Sequence, residues 1–183
     1  RAPADNLAAL AKAKGKSIND MVACILDRPR HAELIKAVRD AGARIQLISD
    51  GDVSGVIATA QPNSGIDIYL GSGGAPEGVL AAAALRCIGG FFQGRLIFRN
   101  DDEKKRAKKY GITDFNRKYD LLDLAKGDVM FAATGVTDGT MLRGVRYFSG
   151  GVETHSMVMR SKTGTVRKVA ATHNIERKPW TAA

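Results

Sequence analysis

Three times in its first ninety residues the chain repeats one unit: a short apolar run, a polar loop, then a segment with helical periodicity. Residues 21–26 (MVACIL) lead into Asp27-Arg28-Pro29-Arg30, and Pro29 then opens a helix whose Leu34, Ile35, Val38 and Ala41 share one face until Gly42 ends it. Residues 44–49 (RIQLIS) end in Asp50-Gly51-Asp52, ahead of a short helix over 53–60 that stops near Pro62-Asn63. Residues 66–70 run into a glycine-rich loop, 71–78 (GSGGAPEG), and an alanine-rich helix through Ile88. Strands buried on both faces read as continuous apolar runs, and parallel neighbours need a crossover, usually a helix. The repetition therefore predicts an α/β core of parallel βα units.

Around this core, residues 3–14 predict a helix with Pro3 in its first turn and Leu7, Leu10 and Ala11 on one face. After Gly89-Gly90 the character changes. Residues 101–111 (DDEKKRAKKYG) read as an exposed helix, acids first and bases last, as the helix dipole favours. A strand over 129–134 precedes Thr-Gly-Val-Thr-Asp-Gly (134–139), which reads as a structural turn. Strands over 152–160 and 165–172 form an antiparallel hairpin closed by Ser161-Lys162-Thr163-Gly164. With 44% apolar residues and no linker, repeat or low-complexity stretch, all 183 residues are expected in one domain with a core of its own.

A formal charge of +9 favours anionic partners. The densest basic run, Lys104-Lys105-Arg106-Ala107-Lys108-Lys109, follows three acids and lacks interleaved aromatics, so it reads as a solvated helix and not as a nucleic-acid surface. Cys24 and Cys87 each sit inside an apolar run, as buried free thiols do. His31, His155 and His173 have neither H-x-H nor H-E-x-x-H spacing, which discounts histidine-metal or histidine-base chemistry. No run of 18 apolar residues and no signal-peptide pattern occur, so the expectation is a cytoplasmic protein without a membrane partner. The sequence opens on Arg1 instead of Met, and a processed or truncated product is expected.

Ligands of open parallel sheets bind where the loops leave the carboxyl ends of the strands. Here those loops supply Arg28 and Arg30, then Asp50 and Asp52, then glycines and Glu77. Guanidinium forks grip phosphate oxygens in pairs. Carboxylates hold Mg²⁺ or Mn²⁺, or accept sugar hydroxyls. Glycines let backbone N–H groups approach an anion. Together they describe a site for a phosphorylated sugar. Singly, each piece has a plainer reading: the arginines as solvated helix-start residues, Asp50-Gly51-Asp52 as a capped turn, Glu77 as a first-turn helix acid. The glycine loop is neither a dinucleotide fingerprint, since Pro76 takes the third glycine's place, nor a P-loop.

The blocks ILDRPRH, LISDGDV, GGAPEGV, AAALRCIGGFFQGRL, ATGVTDGTMLRGV and THSMVMRSKTGTVR, in this order, resemble the class II fructose-1,6-bisphosphatases of bacteria, including the fused fructose/sedoheptulose-bisphosphatases of cyanobacteria. The resemblance covers essentially the whole chain. It implies the layered α-β-α sandwich of the metal-dependent, lithium-sensitive sugar and inositol phosphatases, and hydrolysis of the 1-phosphate of fructose 1,6-bisphosphate in gluconeogenesis and glycerol metabolism. It also implies a Mg or Mn cofactor and a homo-oligomer, dimer or tetramer. It places Arg28, Pro29 and Arg30 on the phosphate that is not removed, Asp50, Gly51 and Asp52 on the sugar, Gly74 as a backbone contact to substrate and Glu77 as a metal ligand. The superfamily's Asp-Pro-Leu/Ile-Asp/Glu-Gly-Thr segment and the upstream metal acids are missing. The chain is thus expected to be the C-terminal half, with the catalytic metal-binding residues in an N-terminal half outside it. A noncatalytic sugar-phosphate-binding or regulatory fragment is the alternative.

Overall fold

β1 (Val22–Leu26) is the middle strand of a three-stranded parallel sheet, flanked by β2 (Arg44–Ile48) and β3 (Ile68–Tyr69). The computed structural model describes residues 2–178. Successive β1 side chains point to opposite faces. Ala23 and Ile25 join Leu7 and Ala11 of α1 (Pro3–Lys14) and Ile35 and Val38 of α2 (Ala32–Asp40) in one apolar cluster. Cys24 points the other way, toward α3 (Asp52–Ala58), where Gly55 keeps the helix close. A β-carbon there would stand 3.2 Å from both Cys24 Sγ and Tyr69 Cδ2.

The third strand is shorter than the expected 66–70. Only Ile68 and Tyr69 pair in register with β1, although Asp67 N–H still donates to Val22 O and Leu70 N–H to Cys24 O. Asp67 also uses its side chain: the carboxylate accepts from Val22 N–H at 2.9 Å and pairs with Lys14 at 2.6 Å and Lys16 at 3.3 Å. The end of α1 and the starts of β1 and β3 are joined at this one buried group.

α3 and α4 (Ala75–Ile88) form a second helical layer, with Val56, Ala81 and Leu85 buried between them. Their far side meets an antiparallel sheet through Ile57, Ala84 and Cys87, packed on Phe131, Met157 and Met159. In that sheet β8 (Gly151–Arg160) pairs with β9 (Thr165–Asn174) on one side, and on the other with β6 (Met130–Thr134) and, end to end with it, β7 (Arg146–Phe148). The layers thus run α1/α2, parallel sheet, α3/α4, antiparallel sheet, a mixed α/β architecture. The expected hairpin is present, with its second strand reaching Asn174. Cys24 and Cys87 are free and buried, and burial pushes both thiols up.

Between α4 and β6 the expected exposed helix is present, inside a strand pair that periodicity did not reveal. β4 (Gln93–Arg95) pairs antiparallel with β5 (Lys118–Asp120), bracketing α5 (Asp101–Lys109), and α6 (Leu121–Leu124) follows. Asn100 caps α5 by accepting from Glu103 N–H, and Lys104 and Lys105 turn back onto Asp101 and Asp102. The 134–139 segment is a turn held by Asp138, which accepts from Gly144 N–H at 2.9 Å and from Arg146 at 2.7 Å. No helix among the described residues is long and apolar enough to cross a membrane.

Candidate functional site

The strand order β2-β1-β3 creates a switch point. The loop after β1 feeds α2 on one face, while the loop after β3 feeds α4 on the other, so the two part and leave a crevice at the carboxyl ends of neighbouring strands. The two loops are tied across it. Arg30 donates from Nε and Nη2 to Ser72 O at 3.2 and 2.9 Å. His31, 2% exposed, reaches the same residue: Ser72 N–H donates to its Nε2 at 2.9 Å. The ring's other nitrogen, Nδ1, lies 2.8 Å from Leu26 O, the last carbonyl of β1.

Pro29 heads the 3₁₀ turn Pro29–His31, where its fixed φ starts the turn and its missing N–H goes unmissed. Arg28 precedes it in extended conformation, with Nη1 on Asp27 O at 2.9 Å. Arg30 is exposed and Arg28 half-buried.

The second loop turns at Gly51, whose φ of +73° suits glycine, and Asp52 begins α3. Asp52 leans toward the third loop: a β-carbon on Gly73 would meet its Oδ2 at 3.0 Å. Asp50 does not join that contact. It lines a cavity of about 610 Å³ beside exposed β2, with Ser54 and Gly55 of α3 and Thr140 and Met141 among the other walls. Of the three predicted loops, the first and third are bonded together and the second touches the third through Asp52.

Glu77 is the third residue of α4, after Gly74 as N-cap and Pro76 at the second position. An acid there often reaches back to the N-cap N–H in a capping box, but no such bond forms. The exposed carboxylate lies over Gly74 instead, with no hydrogen-bond or ion-pair partner among the described residues. It is available to a ligand.

Tyr69, at the end of β3, was not singled out in the sequence. Its phenol is pushed up to about 12 by burial and by the Asp52 and Cys24 charges, against the opposing pull of Arg30. It stays a neutral donor through the physiological range. Its hydroxyl would stand 3.5 Å from a β-carbon on Gly71, so it packs against the glycine loop.

A divalent cation of the hard type takes about six oxygen ligands. Among the described residues no group of three or more His, Cys, Asp or Glu side chains is gathered. Glu77 alone, even with Asp52 across the loop, does not make such a site. The donor set fits one edge of a metal centre and not a whole one.

Residues 1–173 match the family model described as bacterial fructose-1,6-bisphosphatase, glpX-encoded. The chain belongs to that family. Two curated relatives named D-fructose 1,6-bisphosphatase class 2/sedoheptulose 1,7-bisphosphatase are 43% identical to it, in Microcystis aeruginosa, and 41% identical, in Synechococcus sp. (strain JA-3-3Ab). The alignments take in 96% and 93% of this chain but 55% and 53% of those proteins. The chain spans about half the length of the bisphosphatases it matches, in keeping with its partial donor set. Membership of the family carries a divalent-metal requirement, and no complete set of ligands for it is gathered among the described residues.

Proposed function

We propose that the chain is the sugar-phosphate-binding half of a metal-dependent phosphatase of the lithium-sensitive superfamily, releasing the 1-phosphate of fructose 1,6-bisphosphate as inorganic phosphate and leaving fructose 6-phosphate. The observation that carries this reading is the tie between Arg30 and Ser72, which joins a guanidinium to a glycine loop at the sheet's switch point. Arg30 and Arg28 bind the phosphate that stays, with Pro29 fixing the turn between them. Asp50, Gly51 and Asp52 face the sugar, Gly74 offers its backbone, and Glu77 contributes one carboxylate to Mg²⁺ or Mn²⁺. Bound there, the cation would polarise the phosphoryl oxygen and lower the pKa of an attacking water. The remaining carboxylates and the group that orients the water belong to an N-terminal half, the chain's first partner. The printed names of the relatives make sedoheptulose 1,7-bisphosphate a second substrate to try. A cytoplasmic homo-oligomer, dimer or tetramer, is the form in which the enzyme is expected to work.

Two measurements test the reading. Fructose 6-phosphate should bind the chain and fructose should not, by calorimetric titration. Phosphate release from fructose 1,6-bisphosphate should be absent with the lone chain and appear with the N-terminal half added. The gathered carboxylates missing from the described residues also suit a noncatalytic sugar-phosphate sensor, and failure of the two halves to restore turnover would favour it.

A further inference from the structure

His31 has two bonds to backbone groups that fix its protonation, and the Ser72 hydroxyl stands 3.2 Å from Nε2 besides. Leu26 O, 2.8 Å from Nδ1, can only accept, so Nδ1 carries the proton. Nε2 is then bare, and Ser72 N–H donates to it at 2.9 Å. The ring is thereby a neutral bridge between the last carbonyl of β1 and the glycine loop. The next step of the chain closes a circle: Arg30, the neighbour of His31, holds the carbonyl of the same Ser72 through Nε and Nη2. Two consecutive residues grip both ends of one loop residue. Gly71 leaves room for the ring, since a β-carbon there would stand 3.3 Å from His31 Cε1.

The consequence falls on Arg30. Its exposed guanidinium has long, rotatable stems, and free rotation would blur the direction of its fork. With Nε and one N–H of Nη2 fixed on Ser72 O, the plane is set and the edge from Nη1 to Nη2 points away from the loop. That edge presents two parallel N–H groups, the geometry a phosphate takes. Ser72 O can serve as the anchor only if the loop itself is held, and among the described residues the loop's side-chain anchor is His31.

We propose that His31 is a positioning residue that clamps Ser72, and through Ser72 O orients the phosphate-binding edge of Arg30. The inference rests on Arg30 being a phosphate ligand, as set out under Proposed function. An imidazole suits the task because one ring nitrogen donates while the other accepts.

The test uses the 183-residue chain labelled with ¹⁵N, with fructose 6-phosphate and inorganic phosphate as probes. The wild-type His31 ring should show the neutral form protonated at Nδ1, and the Ser72 amide should exchange slowly. His31→Asn and His31→Gln should weaken fructose 6-phosphate binding roughly tenfold, the scale of one lost charge-assisted contact, while the Arg30 Nε–H signal broadens. In the enzyme completed by its N-terminal half, KM should rise more than kcat falls. Variants that melt as the wild type does and bind with unchanged affinity would overturn the proposal. Should both variants fail to fold, the wild-type spectrum decides: a proton on Nε2, or a fast-exchanging Ser72 amide, overturns it, and the opposite result upholds it. If the wild type binds neither probe, the phosphate reading of Arg30 fails and takes this role with it; unchanged binding in the variants defeats the His31 assignment alone.

Discussion

The carboxylate of Glu77 occupies the space where a side chain on Gly74 would begin. Gly74 has φ −68° and ψ 147°, a conformation open to any residue, so glycine is needed there for room and not for backbone freedom. Gly74→Ala should therefore leave the fold intact, with stability within about 0.5 kcal/mol of wild type, because the exposed carboxylate can swing aside. In the completed enzyme kcat should fall nevertheless, since Glu77 loses its direction. Glu77→Gln should lower kcat by orders of magnitude while changing stability by no more than the roughly 0.3–1 kcal/mol of a first-turn acid. Melting curves and kcat across a Mn²⁺ titration check both, and near-wild-type kcat in Glu77→Gln would end the ligand assignment.

Arg30 divides its donors between Ser72 O and the solvent-facing edge. Lysine cannot do both, because a single ammonium has neither the planar fork nor the second edge. Arg30→Ala should raise KM roughly tenfold to a hundredfold, as loss of about 1.5–3 kcal/mol implies. Arg30→Lys should recover only a small part of that. A full rescue by lysine would mean that charge alone is recognised.

The parallel units were legible because their signal is local. Short strands at 22–26 and 44–48, proline at 29 and glycines at 42 and 51 each announce themselves within a few residues. The strand order and the pairing of β4 with β5 were not, since three-residue strands separated by α5 leave no periodicity to read. His31 was passed over for a different reason. The two bonds that fix it go to backbone groups, Leu26 O and Ser72 N–H, which no side-chain spacing can betray, and its one side-chain contact, the Ser72 hydroxyl, lies 41 residues away in sequence. Its place directly after Pro29-Arg30, at the end of an apolar strand, was the one available sign.

The turn after β6 offers a test of packing free of any functional reading. A β-carbon on Gly144 would stand 2.6 Å from Thr137 C and 2.7 Å from Asp138 N, both backbone atoms with nowhere to go. Gly144→Ala should cost about 1–3 kcal/mol, the usual range for overpacking a filled site. Gly127→Ala differs in kind, because nothing lies within 4 Å and the strain comes from its φ of +68°. Denaturant midpoints compare the two. A neutral Gly144→Ala would show that the 137–144 turn is looser than its hydrogen bonds suggest.

Asp67 supplies the clearest pH dependence. Burial works to push its carboxyl up, but the Lys14 ammonium, the Val22 N–H and Lys16 together outweigh burial and hold it below the ordinary carboxylate range. A carboxylate whose folded pKa is depressed adds stability above its unfolded pKa, near 4, and loses that contribution as pH falls through the lower folded value. The side chain is only 6% exposed, so solvent screens the interaction weakly. Asp67→Asn keeps the shape and an acceptor for Val22 N–H while removing the charge that Lys14 and Lys16 meet. At pH 7 it should cost on the order of 1.5–3 kcal/mol, the range for hydrogen bonds to a charged group. Below about pH 4 the wild type progressively protonates Asp67 and the gap between the two proteins should narrow. Urea unfolding at pH 7, 5, 4 and 3 measures that gap. A difference that stays constant across the series would show that Asp67 acts through its shape and hydrogen bonding, with its charge contributing nothing to the junction of α1, β1 and β3.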